Sequence, residues 1–130
     1  MIKFSHTIFY VKDVLKTIHF FESIFGVKTK FIHESNAYAE LMTGDVTLAF
    51  ASEELGKMNF PNGFQRNSSR SLPQACEIAF TTDNPQRLYQ KALKAGAIGL
   101  SEPHEKPWGQ MVAYVRDSNG ILIEIAGEMA

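Results

Sequence analysis

The chain carries one cysteine, Cys76, among its 130 residues. A lone thiol cannot close an internal disulfide, and no CxxC pair or Cys/His zinc spacing exists, so neither a disulfide scaffold nor a zinc finger is encoded. Cys76 lies in the apolar run "QACEIAF" and is expected to be a buried structural thiol. Positive charge is not in excess: 13 Lys and Arg face 14 Asp and Glu, for a net charge of -1. With the basic residues scattered, that balance gives no electrostatic footprint for nucleic acid or an anionic membrane surface. No apolar run reaches the length of a membrane span, and "MIKFSHTIFY" lacks the apolar core and cleavage site of a secretory signal. The Asn67-Ser68-Ser69 glycosylation pattern is then empty, and a reducing cytoplasm is the expected location. A phosphate-binding loop, a dinucleotide fingerprint and a G-x-S-x-G elbow are missing as well.

What is present is an ordinary globular composition, 45% hydrophobic and 21% charged. It suffices for one domain that buries about two-thirds of the surface its unfolded chain would expose.

The chain is also written twice. "SHTIFYVKDVLKTIHFFESIFGV" and "CEIAFTTDNPQRLYQKALKAGA" each read as a short strand, an Asp, a segment of helical period, and a Gly followed by a small apolar residue. Asp13 suits the first N-cap, and Asp83 or Asn84 the second, with Pro85 near the first helical position. Gly26 and Gly96 suit the helix ends. Leu15, Ile18, Phe21 or Phe25 and Leu88, Ala92, Ala95 predict one apolar stripe on each helix. "AYAELMTGDVTLAFAS" and "MVAYVRDSNGILIEIAG" close the two copies as pairs of alternating strands around a Gly-containing turn. "TKFIHES" and the region near Leu100 supply one more strand each. The repeated unit is βαβββ, at about residues 3–52 and 76–127. A polar linker over about 53–75, longer than most loops, is expected to be a tether or a flap.

The doubled unit, the histidine in the first strand, "KPWGQMVAYVRD" and above all "DSNGILIEI" resemble the vicinal-oxygen-chelate superfamily. That superfamily includes glyoxalase I, fosfomycin resistance proteins, bleomycin resistance proteins and extradiol dioxygenases. Its Asp-Pro-Asp-Gly-Asn ending has Ser118 here in place of Pro. The resemblance implies an α+β fold in which two tandem βαβββ modules form a curled eight-stranded mixed sheet with a cup-shaped ligand site. It also implies a divalent metal, Zn, Mn, Ni or Mg, held by residues of the first and last strands. Those places fall on His6 and Glu77, and on Ala49 and Glu124. Ala49 offers no donor, which leaves a three-ligand set, His6, Glu77 and Glu124, with Glu77 standing where His is usual. Family members usually dimerise, often with the cup shared between chains, so a homodimer is expected.

The residues themselves bear on that set. Strand alternation separates Leu122, Glu124 and Ala126 from Ile121, Ile123 and Ile125. If the isoleucines meet helices, Glu124 faces the cup, where a lone carboxylate is costly without a cation. Glu40 is the repeat partner of Tyr114, whose place faces the cavity in fosfomycin resistance proteins, so the resemblance implies that Glu40 faces the cup too, as a ligand, a base or a hydrogen-bonding group. Several carboxylates around one ion favour hard metals over a ferrous site, which disfavours the dioxygenase reading. Trp108 is a lid over the cup or an anchor for its loop. His19, His33 and His104 lack partners at ligand spacing, and Phe20, Phe21 and Phe25 are core.

Two functions follow from the resemblance. One is a metalloenzyme, a lyase, isomerase or thiol transferase, acting on a small oxygen-bearing substrate, with a thiol cosubstrate as an option, Glu40 moving protons and Tyr114 positioning the ligand. The other is a metal-free protein that sequesters a planar small molecule, with Glu77 and Glu124 paired to neighbours or to a protonated His6. A ligand sensor is a third option.

Overall fold

The computed structural model describes residues 1–129. The first βαβββ module consists of β1 (His6–Val11), α1 (Val14–Phe25), β2 (Thr29–Ile32), β3 (Tyr38–Leu41) and β4 (Thr47–Ser52). Helix α2 (Glu53–Asn59) follows, and then the second module: β5 (Glu77–Thr81), α3 (Pro85–Lys94), β6 (Ile98–Glu105), β7 (Met111–Arg116) and β8 (Leu122–Ala126). The strands are distributed over two four-stranded sheets of identical order, β1-β4-β3-β2 and β5-β8-β7-β6. In each sheet the module's first and last strands pair in parallel and the other neighbours antiparallel. The doubled unit and the α+β class expected from the sequence are therefore present. The chain divides into two compact units, Met1–Arg66 and Asn67–Ala130. Among the described residues no helix is long and apolar enough to cross a membrane.

In the first unit α1 begins at Asp13, whose carboxylate accepts from the Lys16 amide at 3.0 Å, and ends at Gly26 with φ 69°. That left-handed φ is why glycine stands there. The inward face is Val14, Ile18 and Phe21 with Thr17, Phe20 and Ile24, while Leu15, expected in the stripe, turns outward. At 100° per residue, Leu15 lies well off the line joining Val14, Ile18 and Phe21. Phe21 stacks on Phe50 of β4 at 5.2 Å between centroids, and both rings are fully buried. Truncating either to Ala would cost about 3–5 kcal/mol.

In the second unit Asn84, not Asp83, caps α3, accepting from the Arg87 amide at 3.0 Å, and Pro85 opens the helix. Tyr89 and Ala92 are its buried residues, while Leu88 is half-buried and Ala95 exposed, so the expected stripe is rotated. Gly99 explains the rotation. A Cβ there would sit 2.7 Å from the Tyr89 hydroxyl, so its absence lets α3 lie close on β6. Ile121, Ile123 and Ile125 are buried, as the alternation required, and Glu124 is on the opposite face.

The "RDSNG" turn between β7 and β8 is self-consistent. Asp117 accepts from the amides of Asn119 (2.9 Å) and Ile121 (2.8 Å) and from the Asn119 side chain (2.8 Å). Burial pushes the Asp117 carboxyl upward while these bonds oppose it. Gly120 has φ 89°, and a Cβ on it would lie 2.6 Å from the Ser68 carbonyl, which accepts from Arg116 at 3.0 Å.

The stretch read as a linker carries structure of its own. Ser52 caps α2 through the Leu55 amide at 3.2 Å, Glu53 and Glu54 occupy its first turn, and Lys57 its last, as the helix dipole favours. Arg66 closes the segment on Glu53 through two bonds of 3.0 Å. The helix escapes a periodicity search because it has seven residues with a glycine in the middle. Gly56 is there because Phe64 and Tyr10 pack onto it: a Cβ would meet them at 2.7 and 3.0 Å. Cys76, expected to be buried, is exposed, because it precedes β5 and stands outside the sheet pairing.

Candidate functional site

Cross-strand pairing in the two sheets tests the repeat alignment directly. In the first sheet Ala49 of β4 lies between Ile8 of β1 and Glu40 of β3. In the second, Glu124 of β8 lies between Ala79 of β5 and Tyr114 of β7. Ala49 thus corresponds to Glu124, Glu40 to Tyr114, and, two residues back along each first strand, His6 to Glu77. Side chains alternate along a strand, so within each module these residues share one face.

In the first module the His6 Nε2 is 2.9 Å from the Glu40 Oε2, and the Tyr38 hydroxyl donates to the same oxygen at 2.7 Å. Ser5 Oγ meets the His6 Nδ1 at 2.8 Å, and the Lys30 Nζ stands 3.9 Å from the Glu40 Oε1. The Tyr38 hydrogen bond first, then His6 and Lys30, hold Glu40 below the usual carboxylate range, against the upward push of partial burial. Burial, followed by Glu40, pushes the Tyr38 hydroxyl far up. Tyr38 therefore stays a donor and Glu40 an anion.

In the second module the Glu77 and Glu124 carboxyl groups stand near enough for Glu124 to act on Glu77. Tyr114 donates to the Glu124 Oε1 at 3.1 Å, and Lys106 stands 5.1 Å from the centre of the Tyr114 ring. Burial and then Glu124 raise the Glu77 carboxyl, while the Lys106 charge opposes them. Burial, then Glu124 and Glu77, also raise Tyr114. Two acids in contact repel once both ionise, and either a shared proton or a cation relieves them.

Each module thus brings together the candidate residues that belong to it: His6 with Glu40, and Glu77 with Glu124 and Tyr114. Among the described residues no three His, Cys, Asp or Glu side chains gather closely enough to hold an ion, so the donors stand as pairs. Ala49 is fully buried. Trp108 is 59% exposed on the β6–β7 loop, its indole donating to Gln110 at 2.8 Å. Gln110 in turn donates to the Gly127 carbonyl at 2.7 Å, so the loop is held by its own side chains. Sequence reading missed Tyr38 and Lys106. Tyr38 was within reach, since it stands two residues before Glu40 on one strand and must share its face. Lys106 was not, because nothing in a loop sequence aims it at the Tyr114 ring.

Residues 3–125 match the family model described as "Glyoxalase/Bleomycin resistance protein/Dioxygenase superfamily". The chain is 24% identical over 128 residues to virulence protein STM3117 of Salmonella typhimurium, covering 95% of this chain and 83% of that protein. A glyoxalase-related enzyme from Fulvimarina pelagi superposes with a TM-score of 0.83 at 18% identity, over 98% of this chain and 89% of its own. A glyoxalase/bleomycin resistance protein/dioxygenase family enzyme from Burkholderia phytofirmans gives 0.78 at 20% identity, over 97% and 98%. At such identities the structural likeness speaks for the fold.

Proposed function

The chain belongs to the glyoxalase/bleomycin resistance protein/dioxygenase superfamily, and from that premise we propose that it is a metal-dependent lyase, isomerase or thiol transferase acting on a small oxygen-bearing substrate. The observation that carries the reading is the Glu77–Glu124 pair of one sheet face, in which burial and then the neighbouring Glu124 push the Glu77 carboxyl upward. The donor chemistry fits a divalent ion: an imidazole and carboxylates, each already placed against a second donor of its own module. His6, Glu77 and Glu124 would hold it. A bound divalent ion would supply charge to polarise oxygen atoms of a substrate. Tyr114, its hydroxyl directed to Glu124, positions the ligand, and the ionised Glu40 beside His6 exchanges a proton with it. Trp108 remains the candidate to cover the substrate.

A homodimer belongs to this reading, with the two kinds of donor pair brought together where the cup is shared between chains. Ile2, Phe4, Leu72 and Leu100, apolar and exposed on the single chain, support it. Light scattering on a sizing column reads the mass, and a monomer at micromolar concentration would remove this part.

The test is the metal content of the purified protein, followed by melting after chelation and addition of Mn, Ni, Zn or Mg. At a hundred times its Kd the resident ion should add about 2.7 kcal/mol, and Glu77→Ala should abolish the gain. No metal and no shift would instead favour the metal-free binding protein. The observation on that side is that His6 and Glu40 already satisfy one another by a hydrogen bond, and that among the described residues no three donors gather.

A further inference from the structure

Asparagine followed by glycine occurs twice in the chain, at Asn62-Gly63 and at Asn119-Gly120. In such a pair the glycine amide nitrogen can attack the side-chain carbonyl carbon of the asparagine, because glycine has no side chain to hinder the approach and its backbone turns freely. The bond from that nitrogen to Cγ forms, the Cγ–Nδ2 bond breaks, and ammonia leaves with the proton of the glycine nitrogen. Water then opens the cyclic imide at either carbonyl. One opening gives an aspartyl residue, and the other an isoaspartyl residue, whose Cβ lies in the main chain. Water and hydroxide suffice as reactants, so what holds each pair decides whether it reacts.

The two pairs are held very differently. Asn119 is half-buried, its Nδ2 donates to the Asp117 Oδ2 at 2.8 Å, and its amide donates to the Asp117 Oδ1 at 2.9 Å. Gly120 is buried, its amide donates to the Asp117 carbonyl at 2.9 Å, and a Cβ on it would lie 2.6 Å from the Ser68 carbonyl oxygen. The side chain that must swing and the nitrogen that must attack are both fixed, with no room beside them. Asn62 and Gly63 are exposed, and nothing lies within 4 Å of the place a Cβ on Gly63 would take. Among the described residues no hydrogen bond ties the Asn62 side chain. The turn closes on one surface bond, from the Gly63 amide to the Phe60 carbonyl at 2.9 Å, which water can replace at little cost.

We propose that Asn62 is a site of spontaneous deamidation and isoaspartate formation, and that the product loosens an aromatic cluster of the first unit. Phe60 and Phe64 flank the site in the chain, and both rings pack on Tyr10 of β1, at 5.9 and 5.6 Å between centroids. Phe64 also lies on Gly56 of α2. An isoaspartyl residue lengthens the main chain of the turn by one atom. The Phe60–Gly63 bond and the spacing of the two rings then cannot both be kept. The modified turn, exposed and carrying a free α-carboxylate, is a substrate of the kind that protein-isoaspartate methyltransferases take.

The full chain is aged at pH 8 and digested with trypsin, which puts the two pairs on separate peptides, one covering 58–66 and the other beginning at Asp117. In the folded chain the change from amide to acid should appear on the first peptide about tenfold faster than on the second. In urea the two rates should converge, since the dipeptide is the same. Methyl transfer by a protein-isoaspartate methyltransferase should label the first peptide. Equal rates in the folded chain, faster change at Asn119, or a change that fragmentation places at Asn59 overturns the proposal. The aged wild type should also melt below the fresh chain. Asn62→Gln, whose longer side chain closes the imide slowly, should melt after ageing where it did before. Asn62→Asp, unaged, carries the charge of the product on an unaltered main chain and should melt with the fresh wild type. An aged wild type that melts with the fresh chain, or an unaged Asn62→Asp chain that melts as low as the aged one, overturns the link to the aromatic cluster.

Discussion

Glu77→Gln should stabilise the protein without metal and lose the stabilisation that metal brings. In the metal-free chain burial first, then Glu124, holds the Glu77 carboxyl above its ordinary range. A carboxyl raised in the folded state subtracts stability as the pH climbs past its unfolded pKa, and subtracts the full amount above its folded one. The amide keeps the shape but never ionises, so it removes that penalty. Two unit charges 4 Å apart repel by about 1 kcal/mol in water and about 4 kcal/mol near a protein surface. Glu77 is exposed and Glu124 half-buried, which sets the figure near the lower end, about 1 kcal/mol. For a chain of this length that is about 4 °C in Tm.

Melting followed by circular dichroism, in chelator, should therefore place Glu77→Gln about 4 °C above the wild type at pH 8. The gap should close as the pH falls and the wild-type Glu77 carboxyl takes up its proton. With metal at a hundred times its Kd, the wild type gains about 2.7 kcal/mol, the variant gains little, and the order reverses. A variant less stable than wild type in chelator at pH 8, or a gap that ignores pH, would show that the two carboxyls do not repel. An equal gain from metal in both proteins would show that Glu77 is not a donor.

Tyr38→Phe deletes the 2.7 Å hydrogen bond to Glu40 and should cost about 1–2 kcal/mol at pH 7 by urea unfolding. Because Glu40 is held below its ordinary range, chiefly by this bond, the contribution exists above the unfolded pKa and is lost as the pH falls through the folded one. The penalty should shrink by pH 3, and an unchanged penalty would refute the link. Gly56→Val should destabilise by about 2 kcal/mol through collision with Phe64 and Tyr10, although valine suits a helix better than glycine does. Combined with Phe64→Ala its cost should fall well short of the sum of the two single effects. Additive costs would place the strain elsewhere.

The repeat made most of the fold legible. Two copies of one pattern fix strand, helix and turn twice over, and the observed pairing aligns His6 with Glu77, Glu40 with Tyr114, and Ala49 with Glu124. Features outside the repeat were not legible. α2 is too short to show a period, and its glycine reads as a loop until Phe64 is seen lying on it. Leu15 and Ala95 were misplaced because an apolar residue near a stripe is not fixed in it. The inward direction is set by partners such as Phe50 and Gly99, which lie far along the chain. Cys76 shows the same limit at a strand end, where an apolar neighbourhood in sequence is not one in space.

What makes the fold recognisable and what decides the chemistry sit in physically different places. "RDSNG" is dictated by backbone geometry: Asp117 is fully buried to satisfy two amides, Gly120 needs its positive φ, and Arg116 needs the room beside it to reach Ser68. None of these groups is directed to the donors, so the turn identifies the module whatever the module does. His6 and Glu77 stand at exposed first positions of β1 and β5, where neither packing nor φ restricts the side chain. There the fold accepts an imidazole or a carboxylate, and on the neighbouring strands it accepts a carboxylate from β3 or from β8. Exchange of one of these side chains costs the architecture little, so the chemistry of this face is set by which few exposed groups stand on it and by the charge balance of their pairs, more than by the motif.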